Sequence, residues 1–291
     1  MGILISKRSR VLVQGITGRD GSFHTREMVR YGTNVVGGVS PKKGGSFFDK
    51  IPVFRTVEEA KRKTGCDTSI IFVPAPFAAD AIYEACDAGL DLVVVITEGI
   101  PVLEMMKIKA YLKKEKKRTK ILGPNCPGVC NPGEAKVGII PSAFFKKGKV
   151  GVVSRSGTLT YEISYHISQS GYGISTVVGI GGDAIKGIGF SDCLSLFQED
   201  SETEAIVIIG EIGGDDEEIA AKYVAKKITK PVFGFIAGKT APPEKRMGHA
   251  GAIIMDGKGT AEEKIRAFHL AGITLFSEPE EIKTLLQEKL G

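Results

Sequence analysis

The residues best suited to chemistry lie in one short stretch, Lys245-Arg246-Met247-Gly248-His249-Ala250-Gly251-Ala252-Ile253-Ile254. A histidine set among glycines, with two cations before it and an apolar run after it, does not fit the interior of a helix or strand, since glycine weakens both. It is expected on a loop, held close to something. Imidazole is nucleophilic, titrates near neutrality and can carry a covalent group, so His249 is suited to transfer chemistry. Local packing or a hydrogen bond within a turn is the competing role. The other histidines, His24, His166 and His269, stand among helix-forming residues and are expected to be structural.

Three further constellations share a pattern in which a strand runs into a glycine turn. Gly15-Ile16-Thr17-Gly18-Arg19-Asp20-Gly21 follows the apolar strand Arg10–Gln14 and precedes a helix expected from about Ser22 to Tyr31. Such a turn lets backbone N–H groups and a helix N-terminus approach a pyrophosphate, although the spacing G-x-x-G-x-x-G is a weak signal by itself. Arg155-Ser156-Gly157-Thr158 opens a second helix with small residues; Ser156 or Thr158 can cap it, and the free N–H groups suit an anion. Glu211-Ile212-Gly213-Gly214 ends a strand, where Glu211 can orient a histidine on a neighbouring loop or stand as a surface acid before a turn.

What a nucleotide site would recognise is narrowed by the strand Asn34–Val39. No Asp or Glu ends it to accept the ribose hydroxyls of NAD; Lys42 and Lys43 follow instead. Cations there favour an extra ribose phosphate, as in NADP or coenzyme A, unless they are surface lysines beside the flexible Gly44-Gly45 pair. Gly257-Lys258-Gly259-Thr260 resembles part of a P-loop, but Ala252 stands where that motif needs glycine and Gly259 where it needs Ser or Thr. The chain therefore has no recognisable ATP site, and a phosphorylated His249 would draw on a nucleotide held by another subunit.

The elements that position these residues follow from hydrophobic runs. Thr68–Val73 and Asp91–Thr97, separated by helices, read as strands of a parallel sheet covered on both faces. Thr97-Glu98-Gly99-Ile100-Pro101 and Gly123-Pro124-Asn125-Cys126-Pro127-Gly128 then lie at strand C-termini, the ligand edge of such sheets. Strands Ile174–Ile180, Ala205–Gly210 and Pro231–Ala237 alternate with helices Ser191–Glu199, Asp216–Lys227 and Thr260–Ala271 in a second doubly wound unit. Glycine, proline and lysine recur between them, so residues 1–130 are expected to form one domain, 131–148 a linker and 149–291 another.

Composition bounds the function classes. A chain of 291 residues with 42% hydrophobic residues can bury two proper cores. It contains no run of 18 apolar residues, and its N-terminal apolar segment is short for a signal peptide, so a cytoplasmic, membrane-free protein is expected. The five cysteines form no Cys-x-x-Cys pair and are expected to be reduced, binding no metal. Net charge is only +5, and the basic run Lys113–Arg118 ends a helix, where cations suit the dipole; a solvated face is expected there, with no nucleic-acid partner.

Taken together, Gln14–Gly18, Ile96–Pro101, Gly123–Gly128, Ser154–Glu162, Gly210–Gly214 and Gly248–Ala252 resemble, in order and over the whole chain, the α subunit of succinyl-CoA synthetase (succinate–CoA ligase, ADP- or GDP-forming). The resemblance implies an α/β chain with an N-terminal Rossmann-like CoA-binding domain followed by a flavodoxin-like doubly wound domain. It further implies that His249 is phosphorylated during turnover, with Glu211 holding it and Ser156, Gly157 and Thr158 cradling its phosphate. Coenzyme A would contact Thr17, Gly18, Arg19, Asp20, Lys43, Ile96, Thr97 and Glu98, and Tyr161 would touch the acid substrate, succinate. The family pairs this subunit with a β subunit of ATP-grasp fold that binds ATP or GTP and Mg2+, in an αβ or α2β2 assembly. Related malate–CoA and citrate–CoA ligases would use the same chemistry on another acid. Two further readings are an NADP-dependent aldehyde dehydrogenase with Cys126 as nucleophile and a CoA-binding module without catalysis.

Overall fold

The computed structural model describes residues 2–239, 248–249, 251–254 and 258–291. In chain order the first half runs β1 (Val11–Gln14), α1 (Arg19–Tyr31), β2 (Val35–Val39), β3 (Phe47–Phe48), β4 (Ile51–Phe54), α2 (Val57–Thr64), β5 (Thr68–Ile71), α3 (Ala75–Asp87), β6 (Leu92–Val95), α4 (Val102–Lys114) and β7 (Lys120–Leu122). The second half runs β8 (Gly128–Asn131), β9 (Ala135–Gly138), β10 (Lys147–Ser154), α5 (Gly157–Gln169), β11 (Ile174–Gly179), α6 (Phe190–Glu199), β12 (Ala205–Glu211), α7 (Asp216–Lys227), β13 (Val232–Ala237), α8 (Ala261–Leu270), β14 (Thr274–Leu275) and α9 (Ile282–Leu290).

Two seven-stranded sheets result, ordered β3-β4-β2-β1-β5-β6-β7 and β14-β13-β12-β10-β11-β8-β9. In the first, β4-β2-β1-β5-β6-β7 are parallel, the strand order of a Rossmann-like sheet. In the second, β11-β10-β12-β13-β14 are parallel in flavodoxin-like order. The central strands are buried along their whole length, as helices on both faces require. In each sheet the chain leaves its first strand to one side and returns on the other. The resulting crevices lie beyond the C-termini of β1 and of β10, and both candidate sites are found there.

Two boundaries differ from expectation. Helix α1 begins at Arg19 rather than Ser22, with Gly18 as its extended N-cap, so Arg19 and Asp20 belong to its first turn. Residues 131–148 hold strand: β8 and β9 form a hairpin, and β8 pairs antiparallel with β11 at the edge of the second sheet. Antiparallel pairing satisfies backbone groups that an exposed connector would leave to water. Glycine permits the tight crossing, because a Cβ at Gly128 or Gly138 would strike the other strand's backbone.

The two sheets share a continuous apolar core. One buried cluster runs from Val11 and Val13 through Val129 and Val178 to Ile208 and Ile236. Polar ties cross the same boundary: Ile188 N donates to Ile121 O at 2.7 Å and Gly187 N to Gly123 O at 2.9 Å. Among the described residues no helix is long and apolar enough to cross a membrane, and no group of three or more His, Cys, Asp or Glu could hold a metal.

Candidate active site

His249 lies against the acid that ends β12. Its Nδ1 is 3.0 Å from Glu211 Oε2 and 3.2 Å from Oε1. An ionised carboxylate only accepts, so Nδ1 carries the proton and Nε2 keeps the free lone pair. Glu211 is 6% exposed, far from the surface acid its position before a turn allows. Its hydrogen bond to the ring raises the His249 pKa above the ordinary 6.5, burial opposes this, and the charge of Glu211 adds to the rise; Arg155 lowers it and Glu98 raises it further.

The ring opens onto a cavity of about 330 Å³ that is also lined by Ser156, Gly157, Thr158, Glu211 and Gly238. Ser156 is the N-cap of α5, its Oγ accepting from Leu159 N at 3.3 Å; Thr158 lies inside the helix and does not cap it. The first-turn N–H groups of a helix have no intrahelical acceptor, and the dipole adds partial positive charge, so this wall of the cavity suits an anion. A ring with a nucleophilic nitrogen therefore shares a small chamber with an anion-binding helix start. Tyr161, expected on the substrate, is half-buried one turn further along α5; it packs against the apolar core beneath the sheet and is not among the residues lining this chamber.

A glycine and the first domain's loop fix where the ring can sit. A Cβ at Gly182 would collide with the His249 side chain. Gly182 is itself tied down: its carbonyl accepts from Gly251 N at 3.0 Å. Beside it, Asn125 Nδ2 donates to Asp183 Oδ1 at 3.0 Å, and Asn125 N donates to Thr97 O at 3.0 Å. The loop after β6 thus reaches the histidine's shelf through Asn125. Lys245, Arg246, Met247 and Ala250, read as part of the same stretch, lie outside the described residues, as does Gly257.

A second cavity of about 1000 Å³ opens beyond the C-termini of β1, β2 and β5, and Thr17, Gly18, Arg19, Asp20, Lys42 and Lys43 line it. A Cβ at Gly21 would strike the Gly15 carbonyl, so glycine there lets the first turn of α1 pack directly on the turn that follows β1. Arg19 and Asp20 pair with one another at 3.2 Å, both largely exposed. Ile96, Thr97 and Glu98 lie outside this lining, at the end of the next strand but one from β1. Thr97 Oγ1 nevertheless donates to Val73 O at 2.6 Å, on the cavity wall, and the charge of Glu98 is felt at His249. These three residues stand between the large cavity and the small one.

Cys126 lies next to Asn125 on the loop between β7 and β8, but it is buried. It is 3% exposed, its Sγ donates to Val95 O at 3.2 Å, and burial pushes its thiol up to about 12. All five cysteines are free and buried.

Behind the histidine lie two cations and an acid whose burial no sequence signal marks. Arg155 is 2% exposed, with Nη2 3.3 Å from Glu211 Oε1 and Nη1 2.9 Å from Glu217 Oε1. Lys264 lies 2.6 Å from Glu217 Oε2, and both are fully buried. In sequence Glu217 stands in the acidic run Asp215–Glu218, which suits a helix N-terminus, and Lys264 stands on an amphipathic helix; neither position signals burial.

Known proteins share these features. Residues 6–99 match the family model described as CoA binding domain and residues 153–274 the one described as CoA-ligase. The chain is 59% identical to the succinate–CoA ligase [ADP-forming] subunit alpha of Aquifex aeolicus, over 97% of this chain and 92% of that one. It is 56% identical to the protein of the same name from Staphylococcus aureus, over 99% and 95%. Among solved structures it superposes on ATP citrate lyase from Methanothrix soehngenii in complex with citrate and coenzyme A, with a TM-score of 0.86 at 25% identity, covering 98% of this chain and 51% of that one. The chain thus spans about half the length of that lyase. With both family models falling in order on the two sheets, and identity held over nearly the full length, the chain belongs to the succinate–CoA ligase α-subunit family.

Proposed function

We propose that this chain is the α subunit of an ADP-forming succinate–CoA ligase and carries the transferred phosphoryl group on His249. The observation that carries the reading is the pairing of His249 Nδ1 with buried Glu211 inside a small cavity walled by the start of α5. Glu211 holds the Nδ1 proton and leaves Nε2 unprotonated to attack the γ-phosphorus of the partner's ATP, with ADP leaving; as the P–N bond forms the ring becomes cationic, and the carboxylate steadies that charge. Ser156, Gly157 and Thr158 receive the phosphoryl oxygens. Succinate then takes the group from the ring, which returns to neutrality.

The large cavity fits coenzyme A. Its volume is ample for a nucleotide, the glycine-containing turn after β1 and the start of α1 line it, and Lys42 and Lys43 offer cations to a ribose phosphate. Thr17 to Asp20 and Lys43 would hold the nucleotide end, and Ile96, Thr97 and Glu98 would guide the chain toward the histidine. Coenzyme A supplies the thiolate that attacks succinyl phosphate, giving succinyl-CoA and releasing phosphate. Tyr161, half-buried one turn along α5 from that helix start, would touch the acid substrate.

The chain works with a β subunit, as its membership of an α-subunit family implies. An ATP-grasp site for nucleotide and Mg2+ on that partner, and an αβ or α2β2 assembly, complete the proposal; no P-loop spacing in this chain offers an alternative donor site. The dehydrogenase reading lacks an accessible nucleophile, because Cys126 is buried with its thiol pushed up to about 12. A non-catalytic module would leave the buried Glu211 and its histidine unused. The test is to purify the chain with its partner, supply γ-labelled ATP and Mg2+, and map the label. Acid-labile, alkali-stable label on His249 that succinate plus CoA removes is expected; label on another residue refutes the assignment.

A further inference from the structure

Glu217, at the start of α7, is fully buried between two buried cations. Its Oε2 lies 2.6 Å from Lys264 Nζ, and its Oε1 accepts from Arg155 Nη1 at 2.9 Å and from the backbone N of Glu211 at 3.1 Å. Ion pairs removed from water contribute less to stability than apolar residues of similar volume, so folding alone gives weak reason for this chain of charges.

The geometry at Arg155 suggests its use. A guanidinium beside a carboxylate commonly grips it through two parallel N–H···O bonds. Here Nη1 is taken by both oxygens of Glu217, at 2.9 and 3.2 Å, and by Gly213 O at 3.0 Å. Glu211 receives only the longer contact, 3.3 Å from Nη2, and both its oxygens stay within 3.2 Å of His249 Nδ1. Lys264 holds Glu217 in place, donating also to Glu218 Oε2 and to Gly214 O, each at 2.9 Å.

We propose that Glu217, clamped by Lys264, is a positioning residue for His249: it occupies Arg155 and so leaves the Glu211 carboxylate free to hold Nδ1 of the ring. The proposal rests on the reading of His249 as the phosphoryl carrier. Glu217→Gln keeps the shape and one acceptor but removes the charge. Arg155 then turns toward Glu211, already 3.3 Å from its Nη2, and draws it off the ring, because Asp216, the other carboxylate acting on Arg155, is held by Lys186 at 2.6 Å. Among the described residues the charged groups acting on the ring are Glu211, Arg155 and Glu98, with Glu217, Glu218 and Lys264 behind them and the Asp216–Lys186 pair beside Arg155.

The test uses the full chain with its partner subunit and ring-15N histidine. Glu217→Gln is expected to move His249 from the Nδ1–H toward the Nε2–H tautomer and lower its titration midpoint. Phosphorylation by ATP should slow about ten- to a hundredfold at unchanged KM for nucleotide, as removal of an interaction used in the transfer step requires. Adding Arg155→Met to Glu217→Gln should restore the Nδ1–H tautomer, because the competing cation is gone. A purely structural Glu217 gives a lower Tm with a wild-type tautomer and midpoint, and a double variant worse than the single; that result overturns the proposal. If Glu217→Gln does not fold, Glu217→Asp decides on the same spectrum: the charge stays but the shorter side chain gives up its reach to Arg155, so a wild-type tautomer there also overturns it. Wild-type protein that takes no label while Glu217→Gln still shifts the tautomer would remove the phosphoryl reading and uphold the positioning.

Discussion

His249 Nδ1 and Glu211 Oε2 are 3.0 Å apart across 38 positions of sequence. Glu211→Gln keeps an acceptor for the ring but removes the charge that steadies the developing imidazolium. Two unit charges about 4 Å apart interact by roughly 4 kcal/mol at an effective dielectric near 20, an upper figure before desolvation. Loss of part of that slows phosphorylation by about ten- to a thousandfold. Single-turnover labelling measures it, and a wild-type rate would end the orienting role.

The same pair sets a pH dependence. The hydrogen bond to Glu211 raises the His249 pKa above 6.5, so the neutral ring needed for attack is lost as pH falls through the raised value. The acid limb of the phosphorylation rate should therefore lie above pH 6.5 and move to lower pH in Glu211→Gln. In the fold, the protonated ring's contribution to stability is fully present below the unfolded value of 6.5 and disappears as pH rises through the folded pKa. Melting curves from pH 5 to 9 on wild type and Glu211→Gln would expose an opposite sign.

Gly182→Ala tests whether backbone defines the ring's seat. The added Cβ would collide with the His249 side chain and displace the ring from Glu211. A misplacement of about 1 Å can cost a hundredfold in rate, so labelling should fall by about that factor while coenzyme A binding is unchanged. Equal losses of both would point to general unfolding.

Cys126→Ser should retain most ligase activity, since the buried thiol, pushed up to about 12, is no nucleophile at neutral pH. The folded protein should likewise resist alkylation at this position at pH 8, read by mass spectrometry. A fall in turnover of about three orders of magnitude would assign Cys126 a direct role.

Lys43 is exposed on the wall of the large cavity. Lys43→Ala should weaken coenzyme A binding by about two- to fivefold, as loss of an exposed ion pair does, and leave dephospho-CoA unaffected. Calorimetry with both ligands reads the difference; equal weakening would move the ribose phosphate elsewhere.

Local chemistry made much of this molecule legible from sequence. The apolar runs Val11–Gln14, Leu92–Val95 and Ala205–Glu211 declare buried parallel strands, and the glycine turns after β1 and β10 mark the edges where ligands meet helix starts. His249 stood out because a histidine among glycines has no helical or strand role. The hairpin β8–β9 was hidden because its glycines and proline read as connector, whereas long-range pairing with β11 makes them strand.

The residue types and their order by themselves determined the fold class, the anion-binding turns and the histidine, since each depends on backbone propensities within a few residues. Only the tertiary structure decided that Glu211 is buried beside the ring, that Cys126 is buried, and that Arg155, Glu217 and Lys264 form one line of charge behind Glu211. Burial and pairing of charged groups depend on which distant strands and helices meet. Glu217 and Lys264, 47 positions apart and each ordinary in its own helix, acquire their environment only when α7 and α8 pack side by side.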